Sequence, residues 1–197
     1  MAKGTPIHVH LLGDPDVRRF AEGAEKVCDL FERVDDLPKV YFLQQMEELL
    51  PLVYSLAHRL PDPFNWAEDD DDIQGWEPGP EAFTSNERMA LLKEWHERIG
   101  KKLEPHRRTD FVFDPVDPSD RKIVQADLAR LLADAYVDLK AGLTLFAKSG
   151  EEEKAEAIWD WRHGFVHEWG PHALQALLPI HMLLHHHYDE DDEVFDI

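Results

Sequence analysis

The chain has 197 residues, 43% of them hydrophobic, and a formal charge of -20, which describes one globular domain with its own core rather than a disordered acidic tail. That charge excludes nucleic acid, whose phosphates demand Lys and Arg surfaces, and anionic membranes, and it leaves a basic protein partner or a cation. The single cysteine, Cys28, excludes an intramolecular disulfide framework, and no apolar run reaches the length of about eighteen residues that a membrane span needs.

Residues 1–13 read as a tail without the pattern of a signal peptide, so a soluble, cytoplasmic protein is expected. Asp14 and Pro15 make an N-cap and first-turn pair. After them Val17, Phe20, Ala24, Val27, Cys28, Phe31 and Val34 recur on one helix face, which places Cys28 in the core rather than at a reactive site. A second helix is expected over 36–60, interrupted by a kink at Pro51. The stretch 61–83 breaks the pattern with prolines and glycines around an acidic run. A loop that long tends to be functional, and Asp69, Asp70, Asp71 and Asp72 are its candidate contacts to a basic partner. Thr84 and Glu87 form a capping box for a third helix ending near Leu103. Lys101, Lys102, Arg107 and Arg108 then cluster, with the chain's own carboxylates as their expected partners.

A proline-punctuated connector, "FVFDPVDPSD", leads to the longest expected helix, 120–148, with Leu128, Leu132, Ala135, Leu139 and Phe146 on its core face. Helices over 151–169 and 172–187 follow, divided by Gly170 and Pro171, and 189–197 is an acidic C-terminal tail. No alternating strand pattern stands out. The expectation is an all-α, single-domain bundle of about six helices spanning 14–188, with no sheet.

The densest stretch is "WDWRHGFVHEWG", residues 159–170. Helical spacing puts Ala155, Ile158, Trp159, Phe165, Val166 and Trp169 on one face, with Arg162 amid them. An arginine cannot shed its charge, so that position demands a carboxylate or an indole face. The expected arrangement is a structural pairing with Asp134 or Asp138 of the preceding helix, worth about 3–5 kcal/mol if one member is removed. The alternative is an arginine held open to clamp an anionic ligand. His163 and His167 stand one turn apart, and Asp134, Asp138 or His172 would complete a metal set. No H-E-x-x-H or E-x-x-H motif backs that set, so no metal and no cofactor are expected. His181 falls on an apolar stripe and reads as a core histidine, while His185, His186 and His187 sit at a helix end, where cationic imidazole is favoured. No phosphate loop, nucleophile elbow or catalytic triad is visible, and no catalytic residue is assigned.

With those residues in hand, the chain resembles a bacterial helical family, the domain of unknown function 5063 family. The likeness rests on "FLQQMEELLPLVYSLAHRLPD" (42–62), "FDPVDP" (113–118), "LADAYVDLKAGL" (132–143) and "WDWRHGFVHEWGPHALQALLPIH" (159–181). The resemblance implies an all-α bundle and no activity. Its matching positions are Asp134, Tyr136, Asp138, Lys140, Trp159, Trp161, Arg162, Trp169 and His172. Arg130 and Leu131 stand where the family often has paired aspartates, and Glu168 where it tends to have histidine; both departures weaken a metal site. The functional expectation is a non-enzymatic, acidic helical interaction module of the bacterial cytosol, immunity-like or an adaptor for a basic partner. The competing expectation is a helical protein, an enzyme included, that binds a metal or anionic ligand between helices 120–148 and 151–169.

Overall fold

The computed structural model describes residues 13–63, 79–112 and 122–186. Among them the chain forms α1 (Pro15–Glu32), α2 (Lys39–Ala57), α3 (Ser85–Leu103), β1 (Arg108–Val112), β2 (Ile123–Asp127), α4 (Leu128–Phe146), α5 (Glu151–His167) and α6 (Trp169–His185). The all-α, six-helix expectation holds, but the expectation of no sheet does not, because a small two-stranded sheet is present. β1 and β2 pair antiparallel from Arg108↔Asp127 to Val112↔Ile123.

That ribbon replaces the first turns of the expected fourth helix. Ile123 and Val124 are β-branched and resist helix, and Asp127, at the end of β2, caps the helix from there, accepting from the amide of Ala129 at 3.0 Å. α4 therefore starts at Leu128 rather than Asp120. The other caps follow their sequence signals. Asp14 accepts from the amide of Asp16 at 2.7 Å, and Thr84 and Glu87 close a reciprocal capping box. α2 runs through Pro51, which is exposed, and ends at Ala57.

α4 is the central helix, packing against α1, α3, α5 and α6. It buries thirteen of its nineteen residues, as a helix enclosed on most sides must. Its small residues let neighbours come close: a Cβ on Gly142 would lie 2.0 Å from Nε1 of Trp161. Trp161 is fully buried there and donates to the carbonyl of Leu139 at 3.3 Å. One turn on, Gly164 leaves room for the indole of Trp169, which donates to the carbonyl of Trp161 at 2.9 Å. Phe20 of α1 packs on both indoles, with ring centroids 5.0 and 5.8 Å away. Cys28 lies in the same core, and burial pushes its thiol far above the usual range, so it stays protonated.

The break between α5 and α6 falls at Glu168, with φ -130° and ψ -91°, not at Gly170–Pro171. Those two residues stand in the first turn of α6, where a proline's missing N–H has no partner to lose.

Candidate functional site

The seating of Trp161 fixes the rotation of α5. The buried face runs through Ala157, Ile158, Trp161 and Gly164, so Trp159 is only half-buried and Val166 is exposed. Each residue turns the helix by about 100°. Arg162, next to Trp161, therefore points outward, is exposed, and donates to the carbonyl of Leu60 at 2.7 Å. The expected pairing of Arg162 with Asp134 or Asp138 does not occur, because the larger apolar group took the inner position. The carboxylates find other cations: Asp134 accepts from Arg130 on its own helix at 2.8 Å, and Asp138 from Arg88 of α3.

A cleft opens between the start of α3, the middle of α4 and the middle of α5, and Asp138 is tied to it through Arg88, a lining residue, without lining it itself. The cleft has a volume of about 250 Å³ and is lined by Phe83, Ser85, Arg88, Glu156, Trp159 and Asp160, with Gly79 to Ala82 along its rim. Glu156 and Asp160 stand one turn apart on α5 and so face the same way. Gly79 lies so close over Glu156 that a Cβ would fall 2.0 Å from its Oε2. Arg88, in the first turns of α3, also reaches Glu168 at 3.5 Å. It is the one cation among the described residues of the cleft wall.

The electrostatics follow from that imbalance. Asp138 is only 9% exposed. Burial raises its carboxyl to about 7 despite Arg88, and Glu168 and Asp134 add repulsion. Asp160 is also pushed up to about 7, first by burial and then by Glu156, with Asp138 and Glu168 contributing. Burial and like charge thus raise two neighbouring carboxyls, one lining the cleft and one behind it, which makes the cleft the candidate site.

The other expected site residues lie elsewhere. His163 stacks on Trp159, with centroids 4.7 Å apart and planes 13° from parallel, and His167 continues the ladder at 4.7 Å. Both are exposed. His172 is half-buried on α6, where its Nδ1 is enclosed without a hydrogen-bond partner. His181 is not a core histidine: it is 52% exposed and contacts Glu47 of α2. Asp69, Asp70, Asp71 and Asp72 lie outside the described residues. No member of the expected polar cluster is among the residues lining the cleft, and Asp138 is tied to it through Arg88. Arg88, Glu156 and Asp160 were not singled out from sequence, although the i, i+4 spacing of the last two was a usable signal.

A second charged group closes the ribbon. Asp127 accepts from Nε of Arg107 at 3.1 Å and contacts His96 at 2.8 Å. Burial opposes its charge, but the hydrogen bonds from Arg107 and His96 prevail and hold its carboxyl down at about 2. The basic cluster is partly satisfied by the chain's own carboxylates, as expected, but Lys102 donates instead to the carbonyl of Leu37 at 2.6 Å.

The model of the domain of unknown function 5063 family matches residues 13–186. The crystal structure of protein BF1032 from Bacteroides fragilis superposes with a TM-score of 0.68 at 18% identity, over 90% of this chain and 98% of that one. At that identity the likeness shows the fold alone. No match is found among the curated proteins. The chain belongs to the domain of unknown function 5063 family.

Proposed function

We propose that this member of the family is a non-enzymatic, acidic helical interaction module whose cleft takes a cationic side chain, Arg or Lys, from a basic partner protein. An immunity-like or adaptor role in the bacterial cytosol fits that reading. The observation that carries it is the charge imbalance at the cleft. Glu156 and Asp160 line the cleft, Asp138 stands behind Arg88, the one cation among the described lining residues, and burial raises the carboxyls of Asp138 and Asp160. A guanidinium or ammonium entering the cleft relieves that repulsion in a setting screened from water, where charge-assisted hydrogen bonds are strong. Trp159 adds an aromatic wall suited to a guanidinium. Size supports a side chain over a whole substrate, because small-molecule sites usually enclose about 300–1,000 Å³ and this cleft holds about 250 Å³. An anionic ligand is disfavoured by the same imbalance.

The test is a chemical-shift titration with N-acetyl-arginine methylamide, at low and at high salt, beside its neutral citrulline counterpart. The arginine compound should shift the Trp159 indole and the amides around Asp160, weaken as salt rises, and fail to bind Asp160→Asn. Equal binding of citrulline, or arginine binding indifferent to Asp160→Asn, would overturn the reading.

A further inference from the structure

Away from the cleft, three metal-ligating side chains converge where α2 meets α6. His181 and His185 stand at i and i+4 on the last two turns of α6, and Glu47 rises from α2 between them. One donor atom from each lies within 4.8 Å of the other two. Nδ1 of His181 is 2.7 Å from Oε1 of Glu47, and Nε2 of His185 is 3.1 and 3.0 Å from its two oxygens. The imidazole centroids are 4.5 Å apart. We propose that Glu47, His181 and His185 form a binding site for a divalent transition-metal ion of the zinc type.

The geometry suits such an ion. Zinc binds His nitrogen and carboxylate oxygen at about 2.0–2.2 Å, so the edges of its coordination tetrahedron measure about 3.3 Å. The Glu47–His185 separations need to open by only a few tenths of an ångström to reach that value, and the His181 contact by about half an ångström. Two imidazoles and one carboxylate select zinc, nickel or copper over calcium and magnesium, which prefer all-oxygen sets. Both histidines are 52% exposed, so solvent supplies the fourth ligand and an entry path, while Glu47, at 26%, is held more firmly. The C-terminal end of α6 adds a second attraction, since its last carbonyls favour a positive charge. The ion would tie two helices that are distant in sequence, and so stabilise the bundle when bound.

Without a metal, the carboxylate accepts hydrogen bonds from the two rings, so a metal ion displaces those protons as it binds. Calorimetric titration of tag-free protein with zinc chloride tests the site. One zinc ion per chain should bind, with a rise in Tm, whereas calcium and magnesium chloride should give no such rise. Glu47→Gln and His185→Ala should each weaken zinc by at least tenfold, while a chain with both His186 and His187 replaced by alanine keeps the affinity. His163→Ala with His167→Ala should also leave it intact. Circular dichroism of the metal-free variants checks their folding, and the exposure of His181 and His185 makes them well tolerated. Absence of zinc binding would overturn the proposal. So would zinc binding that survives Glu47→Gln and His185→Ala, or is lost with His186 and His187, since it would then belong to another histidine group.

Discussion

Asp160→Asn should make the protein more stable above neutrality, although it removes a charged side chain from a helix. The carboxyl stands at about 7 in the fold against 3.8 in a free side chain, a difference of about three pH units. An acid whose folded pKa is raised stabilises nothing at high pH. Its contribution is greatest below the unfolded value and is lost as pH rises toward the folded one. At about 1.36 kcal/mol per unit, the whole penalty at pH 8 is at most about 4 kcal/mol. Asp160 keeps some contact with water, so about 2–4 kcal/mol is the expected gain for the asparagine variant at pH 8. At pH 5 the gain should be less than half of that, because part of the penalty has not yet developed. Urea unfolding at both pH values reads this directly. With a slope of about 2 kcal/mol per molar urea, the midpoint should rise by about 1–2 M at pH 8. The same variant should lose the arginine compound, so stability and binding move in opposite directions, as they do where a site is built from strained charges. An equal gain at both pH values, or a loss at pH 8, would show that Asp160 is not held in a repulsive, desolvated cleft.

Binding of N-acetyl-arginine methylamide should strengthen between pH 6 and pH 8, since a cation favours the ionised form of Asp138 and Asp160; a flat profile by chemical-shift titration would count against their part in the cleft. Asp127→Asn keeps a capping oxygen but removes the charge shared with Arg107 and His96, and should cost about 2 kcal/mol at pH 7 by urea unfolding. That stability is present above the unfolded pKa and vanishes as pH falls toward 2, so the variant and the parent chain should converge there. Gly142→Ala drives a methyl group into the Trp161 indole and should lower stability by about 1–3 kcal/mol, with a blue or red shift in tryptophan emission reporting the displaced ring. Arg162→Met removes one hydrogen bond to the carbonyl of Leu60 and should cost about 0.5–1.5 kcal/mol, well below the loss expected of a buried ion pair.

The helices of this protein are legible in its sequence because their signals are local. Asp14 with Pro15, and Thr84 with Glu87, satisfy amides within a turn of themselves, and the apolar stripe from Val17 to Val34 needs only the 3.6-residue repeat. The short ribbon was less visible, because Arg108–Val112 and Ile123–Asp127 pair across a connector and neither alternates strongly by itself. What the tertiary structure alone decided is which way α5 turns. Periodicity places Trp159 and Arg162 on the inner face and leaves Trp161 off it, whereas the structure buries Trp161, half-buries Trp159 and exposes Arg162. Gly142 on α4 settles the rotation by leaving a hollow that fits the Trp161 indole. From that one seating, Arg162 goes to the surface, Asp160 and Glu156 turn into the cleft, and Arg88 of α3 lines it while pairing with Asp138. Likewise Glu47 meets His181 and His185 across 134 and 138 residues of chain. Such pairings follow from how packed helices rotate and cross, and no local pattern in either helix encodes its partner.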